Sequence, residues 1–567
     1  MSEKAELERQ QLVAAKEQGG LSVLKTYVKM SGPGWLQSAI TLGGGSLSGA
    51  LFLGVIGGYE FMWVQLVAML MGVTMLCAIA YVTLSTGESP FKSLKNKINP
   101  VLAWGWLIAS LMANLVWVLP QYSLAYAAVS QNLMPGMFEG ATGDGSKYVV
   151  SFIIFLVVTG ITLCYGKEGI GIKMYEMTLK LVVAGIVLAF MGVVFKLATT
   201  AEDFSMGAVL VGFIPDFGMW FRPATVYNDF LSVLEPQAKE YWTEVIINEQ
   251  RTRLIGAASA AVGINMTFLL PFSMLNKGWG KDHRGLAIFD LSTGMVIPFV
   301  LAVSCVVIAS AHMFHGKTFE GLITEKDGIV VVDETNKGFG SYSKILGKRT
   351  GNEALGAVAD GEKKIAALLI NRDTGAFADS LSTLTANKSF ANTVFGIGVL
   401  AMALSTISML MLISGFVFSE MFDKPHGGLY HKIGIICGGT GVLWPFFWSG
   451  GSKAFLAIVT STIGYIFLPI AFLAFFLMMN SKKILGESCP EGGSRILWNL
   501  LMGVSLIITG SAAAYTATTK KMGDFPIGTV GLIIFVVAVI AGQFYMMNKH
   551  KKEEASTSAL EGEEAVD

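Results

Sequence analysis

Charge is what this chain lacks most. Only 14% of its 567 residues are Asp, Glu, Lys or Arg, against about 25% in an average soluble domain. The 41 basic and 41 acidic side chains cancel, so no basic surplus exists to hold nucleic acid. Cysteine is scarce too. Cys77, Cys164, Cys305, Cys437 and Cys489 lie scattered, mostly in apolar runs, and suggest neither a disulfide framework nor a zinc site. The first 30 residues are polar and charged, so no cleavable signal peptide is expected. No phosphate loop, nucleophile elbow, HExxH or CxxC occurs in a fitting context. The chain is therefore read as no enzyme and no ATP-driven motor, with no cofactor expected.

What the chain has instead is apolar length. It is 53% hydrophobic, with mean hydropathy +0.58. About 20 apolar residues cross a bilayer, and twelve candidate spans can be drawn: about 32–56, 60–84, 101–133, 148–165, 172–198, 253–275, 286–313, 390–417, 430–449, 453–479, 494–518 and 526–547. This predicts an all-α integral membrane protein whose constant partner is the lipid bilayer. Short-loop Lys and Arg residues set orientation. Lys92, Lys95 and Lys97 follow span 2, Lys277, Lys281 and Arg284 follow span 6, and Lys482, Lys483 and Arg495 follow span 10. They share a side with both termini, so the N-terminal segment 1–31 and the charged tail 548–567 are expected in the cytoplasm, with the protein in the plasma (inner) membrane. Two long connections fall on the other face, residues 199–252 and an insert at 314–389. In the insert, GIVVVDE reads as a short strand and AFADSL as helical. A small packed cap without chemistry is the plainer reading of it.

Two spans are interrupted. Span 1 carries Thr41-Leu-Gly43-Gly44-Gly45-Ser46, and three adjacent glycines make a poor helix interior. Span 6 carries Gly263, Asn265, Met266 and Thr267, with Pro271 a turn later, which suggests an unwound stretch. Irregular backbone at membrane depth is tolerated where protein or a watery cavity satisfies it. Matching interruptions in corresponding spans of two halves point to the site of an inverted-repeat transporter. Close packing through small residues is the competing account of the glycines.

Further stretches resemble the Nramp family of divalent metal transporters. GPGWLQSAITLGGGS is similar to the family's opening segment, Thr86-Gly87 to the TG after its second span, and GAVLVGFIP (207–215) to the segment before its sixth. FGIGVLAMALSTISMLMLISGFVFSEMF (395–422) and STIGYIFLPIAFLAFFLMMNSKKILGE (461–487) resemble its eighth and tenth spans. The resemblance implies a LeuT-like fold (APC superfamily), with a five-plus-five inverted repeat, broken helices 1 and 6, and spans 11 and 12 added. The chain departs from the family at the site itself. The Asp and Asn of the Asp-Pro-Gly-Asn motif fall on Gly43 and Ser46. The Met and His of the Met-Pro-His motif fall on Gly263 and Asn265, unless a shift places Met266 at the methionine. The glutamines of spans 8 and 10 fall on Leu404 and Ser461, and the acidic pair of span 3 on Asn114 and Trp117.

The candidate substrate site is therefore Thr41, Gly43, Gly44, Gly45, Ser46, Gly263, Asn265, Met266 and Thr267. Asn114, Gln121 and Ser461 are candidates for the path or coupling, and Ser46 and Asn265 for contact with a metal. The three glycines fit an enlarged cavity. Glu176 and Lys180, four apart on span 5, read as an interfacial pair, and Asp290 and His312 as interfacial groups. Most tryptophans stand near span ends as anchors. The chain reads as a secondary transporter of a metal cation, a divalent one first, working by alternating access with weak or absent proton coupling. An ion-coupled carrier of a polar organic solute and a non-transporting sensor or accessory protein are the competing readings.

Overall fold

The computed structural model describes residues 3–30, 41–138, 145–164, 170–202, 204–326, 329–351, 358–381, 387–448, 451–521 and 523–564. The Glu176–Lys180 pair and the start of span 1 (32–40) lie outside the described residues or side chains. Among the described residues nine helices are long and apolar enough to cross a membrane. This is a multi-pass membrane protein. These do not by themselves confirm the count of twelve. The expected spans 1 and 2 are the helices Gly44–Gly57 and Met62–Thr86, joined through the turn Gly58–Phe61, span 5 lies on the helix Ile170–Thr200, and span 9 is divided into Leu429–Gly438 and two one-turn pieces.

Burial separates the elements. The helices at 44–86, 236–276 and 388–421 form the centre, while Gly492–Thr518 and Ile527–Lys549 are largely uncovered at the edge. Small residues let the central helices touch. A Cβ on Gly49 would come within 3.1 Å of the Ala257 backbone, and one on Gly256 within 3.0 Å of Ile458. Close packing through glycine therefore operates beside the helix breaks, in the same helices.

Both expected interruptions are present. The Gly44–Gly57 helix starts inside the glycine run, after extended Gly43 (φ −90°, ψ −178°). The second break is sharper. The helix Pro236–Ala261 stops at extended Val262 (φ −143°, ψ 113°), and Ile264–Asn276 restarts after Gly263 (φ −86°, ψ 156°). The break thus precedes Asn265, and Pro271 stays within the restarted helix. The helix before the break also begins at Pro236, well inside the stretch expected as a loop.

The insert is a cap. Strands Ile323–Lys326 and Ile329–Val332 pair antiparallel, and Thr374–Ala378 is helical as expected. The cap docks on the Pro236–Ala261 helix, where Trp242 Nε1 donates to Glu362 at 2.7 Å. Phe377 meets Phe52 edge-on at 5.1 Å and Phe314 at 5.8 Å, closing over the Gly44–Gly57 helix.

Candidate functional site

The two breaks face each other and are tied by one side chain. Ser46 Oγ lies 2.5 Å from the Thr41 carbonyl and 2.8 Å from the Ala260 carbonyl. Both carbonyls flank breaks, where the helical ladder no longer uses them. A hydroxyl has one proton, so it can donate to only one of the two. Three oxygens thus converge where the broken helices meet.

Around them lies a cavity of about 90 Å³. Its wall includes Thr41, Gly43, Gly45, Ser46, Gln121, Gly263, Asn265, Met266 and Ser461. The structure thus assembles most of the expected residues from four separate spans. Three stand outside the wall, and the physical reasons are plain. A Cβ on Gly44 would strike Gln121 Oε1 at 2.7 Å, so this glycine makes room for glutamine and not for a solute. Thr267 is fully buried, accepting from Trp106 Nε1 at 2.8 Å and donating to the Ile264 carbonyl. Asn114 is an interhelical bridge to Ser414 Oγ at 3.2 Å.

Sequence reasoning missed several wall residues. By sequence Trp117 only marks the place of an absent acid, yet it lines the cavity. Gly263 and Gly464 make that possible, because a Cβ on either would come within 2.4–2.5 Å of the ring. A Cβ on Gly45 would meet only ordinary contacts, Gln121 Nε2 at 3.9 Å and Ala260 Cβ at 4.0 Å. Thr406, Met409, Leu410 and Ile413 contribute one face of the Lys388–Met421 helix. Their i, i+3, i+4, i+7 spacing was the available signal.

The wall contains no Asp, Glu, Lys, Arg or His among the described residues. Among the described residues no group of three His, Cys, Asp or Glu side chains could hold a metal ion. The donors are neutral: carbonyls, hydroxyls, Gln121, Asn265, and the thioethers of Met266 and Met409. Sulfur is therefore present at the wall, although the Met-Pro-His alignment put glycine first at that position. Two buried polar atoms of wall residues have no hydrogen-bond partner, Gln121 Oε1 and Trp117 Nε1. They stand four residues apart on one helix, each packed over a glycine, Gln121 Oε1 over Gly44 and Trp117 Nε1 over Gly464. Asp290 is buried and His312 half-buried in the Arg284–Phe314 helix, and neither belongs to the wall.

By sequence the chain matches no protein-family profile and no curated protein. By structure it is similar to the Eremococcus coleocola manganese transporter. A histidine-to-alanine variant superposes with TM-score 0.58 at 12% identity, covering 94% of this chain and 97% of the other. The same transporter bound to an aromatic bis-isothiourea substituted compound gives 0.57 at 12% identity, and a glutamate-to-glutamine variant gives 0.58, with the same coverage. The chain shares this fold over nearly its whole length.

Proposed function

We propose that this protein is a secondary membrane transporter that moves a metal cation, divalent in the first instance, by alternating access. The observation that carries the reading is the pair of facing helix breaks, joined through Ser46, with the cavity beside them. The shared fold supports it, since the superposed neighbour is a manganese transporter. Both termini are assigned to the cytoplasmic face of the plasma membrane.

The wall chemistry decides how a cation can sit there. An isolated charge moved bare into a low-dielectric interior costs tens of kcal/mol by Born solvation. Neutral oxygens and thioethers cannot neutralise a dication, so the ion keeps much of its water. The cavity has room for this, because one buried water needs roughly 10–15 Å³ of comparable volume. Thr41 O, Ala260 O, Ser46 Oγ and Asn265 are the oxygen-bearing groups nearest the breaks. No wall residue titrates near neutral pH, so proton coupling through the wall is weak or absent.

The neutral polar groups of the described wall favour a second reading, a small polar organic solute. Liposome uptake separates the two. Mn²⁺, Mg²⁺ and Ca²⁺ are tested with wild type and Gly45→Trp, which puts a bulky ring on the cavity wall. The metal reading expects at least one dication to enter and the variant to block it, without internal acidification. Folded wild type that admits none of the three sinks the metal reading.

A further inference from the structure

A second cavity, of about 430 Å³, lies on the other side of the Pro236–Ala261 helix. Ser259 and Ala260 line the cavity at the breaks, whereas Leu254, Ile255 and Ala258 line this one. Its remaining walls come from Met62–Thr86 (Trp63, Val67) and Gly492–Thr518 (Ala512, Tyr515), and its roof from residues 217–221. The volume is that of a small-molecule pocket, about 300–1,000 Å³, and the lining is almost wholly apolar.

Three observations identify the occupant. First, the pocket opens among residues that a membrane must cover. Leu210, Ile214, Phe217 and Phe221, in the segment that roofs it, are each more than half exposed, as is Ile507 beside it on Gly492–Thr518. Second, a cation stands beside the pocket, behind two of its aromatic wall residues. Arg251 Cζ lies 5.5 Å from the Trp220 ring and 5.4 Å from the Tyr515 ring, and Nε donates to the Trp220 carbonyl at 2.9 Å. Nη1 reaches Asn248 and Tyr515 only at 3.4 Å. No carboxylate pairs with Arg251 among the described residues: Glu249 is taken by Arg253, while Glu240 and Glu244 share a neighbouring hollow with Arg251. A guanidinium held between aromatic rings at the membrane interface is a phosphate receptor. Third, Trp63 Nε1 is buried in the wall without a partner, a donor suited to an ester oxygen.

We infer that this pocket binds a membrane phospholipid, with an acyl chain between the Pro236–Ala261 and Gly492–Thr518 helices and the phosphate on Arg251. The lipid then packs against the helix whose last carbonyls border the break. This inference is independent of what the protein transports.

The test uses full-length protein delipidated in detergent and offered dioleoyl phosphatidylglycerol, dioleoyl phosphatidylcholine or dioleoylglycerol, with bound lipid read by native mass spectrometry and thermal stability in parallel. Wild type should retain one phospholipid of either kind and be stabilised by it, while dioleoylglycerol is not retained. Arg251→Gln should weaken retention at least tenfold, and Ala512→Trp should abolish it. Val67→Trp replaces Ala512→Trp if the latter does not fold. Equal retention of dioleoylglycerol, or unchanged retention in a folded tryptophan variant, overturns the assignment.

Discussion

The cavity at the helix breaks and the cap above it are built from opposite materials. The described residues of the cavity wall carry no formal charge. The cap is organised around buried ions. Arg372, 3% exposed, donates to the carbonyls of Leu368 at 3.1 Å, Ile370 at 2.7 Å and Lys317 at 2.7 Å. Burial pulls its pKa down to about 10, which still leaves it charged at neutral pH. Asp373 accepts from Gln131 Nε2 at 2.8 Å and from the Ala454 amide at 3.0 Å, and faces Lys453 at 3.7 Å. Arg253, on the Pro236–Ala261 helix, joins Asn371 at 2.7 Å. Fixed charges are satisfied by one geometry only, so they suit a region that holds its shape. Neutral dipoles with spare valences suit a region where a solute arrives and leaves.

This contrast makes a strong demand at Arg372. Arg372→Met keeps apolar bulk against Phe314 and Phe319 but abandons three buried carbonyls. Each orphaned group costs about 1–3 kcal/mol, so a loss of about 3 kcal/mol or more is expected in detergent unfolding. A loss under about 1 kcal/mol would mean that water replaces the guanidinium and that the cap is not ion-organised. Ser46→Ala is the cavity counterpart. It removes the hydroxyl between the two breaks, and about 1 kcal/mol of stability is expected to go with it. Uptake of any transported ion should fall by far more than stability accounts for. If uptake and stability fall together, Ser46 is a fastener and not a ligand.

The breaks were legible because they depend on local chemistry. Three consecutive glycines at 43–45, and Gly263 with Asn265, disfavour helix whatever surrounds them. The fold was legible through resemblance at scattered motifs, and the comparison with solved structures bears it out. The cavity's inner face was not. Gly44 and Gly45 are identical in sequence, and only the position of Gln121 decides which one is filled. Trp117 reads as an ordinary apolar residue until Gly263 and Gly464 are placed against its ring. Met409 and Thr406 are indistinguishable from packing residues until the rotation of their helix is known. Such facts depend on which helix faces which, and that is a property of the whole assembly.

A smaller effect sharpens the comparison inside the cavity. Trp117→Phe keeps the ring between Gly263 and Gly464 and deletes the orphan Nε1. Removing a buried donor that has no protein partner should be neutral or stabilising by up to about 1 kcal/mol. Transport should nevertheless weaken if Nε1 holds a water of the passing solute. Unchanged uptake would assign Trp117 to packing alone.

The smallest expected effect lies at the border of the two regions. His315 follows the Arg284–Phe314 helix and places Nδ1 3.1 Å from the Val55 carbonyl, near the end of the Gly44–Gly57 helix. Its ring rests on Gly58, whose φ of +57° and close contact exclude a side chain. Glu60, Asp216 and Asp229 line the same hollow. Burial lowers the imidazole pKa, partly opposed by the Val55 contact and by Glu60. A depressed folded pKa favours the neutral ring. Its stabilisation is complete above the ordinary value of about 6.5 and is lost as pH falls through the folded value. Melting curves between pH 7.5 and 5 should therefore fall more steeply for wild type than for His315→Gln, which keeps a donor but does not titrate. Parallel curves would place the acid sensitivity on carboxylates of the hollow and leave His315 a fixed wedge under the cap.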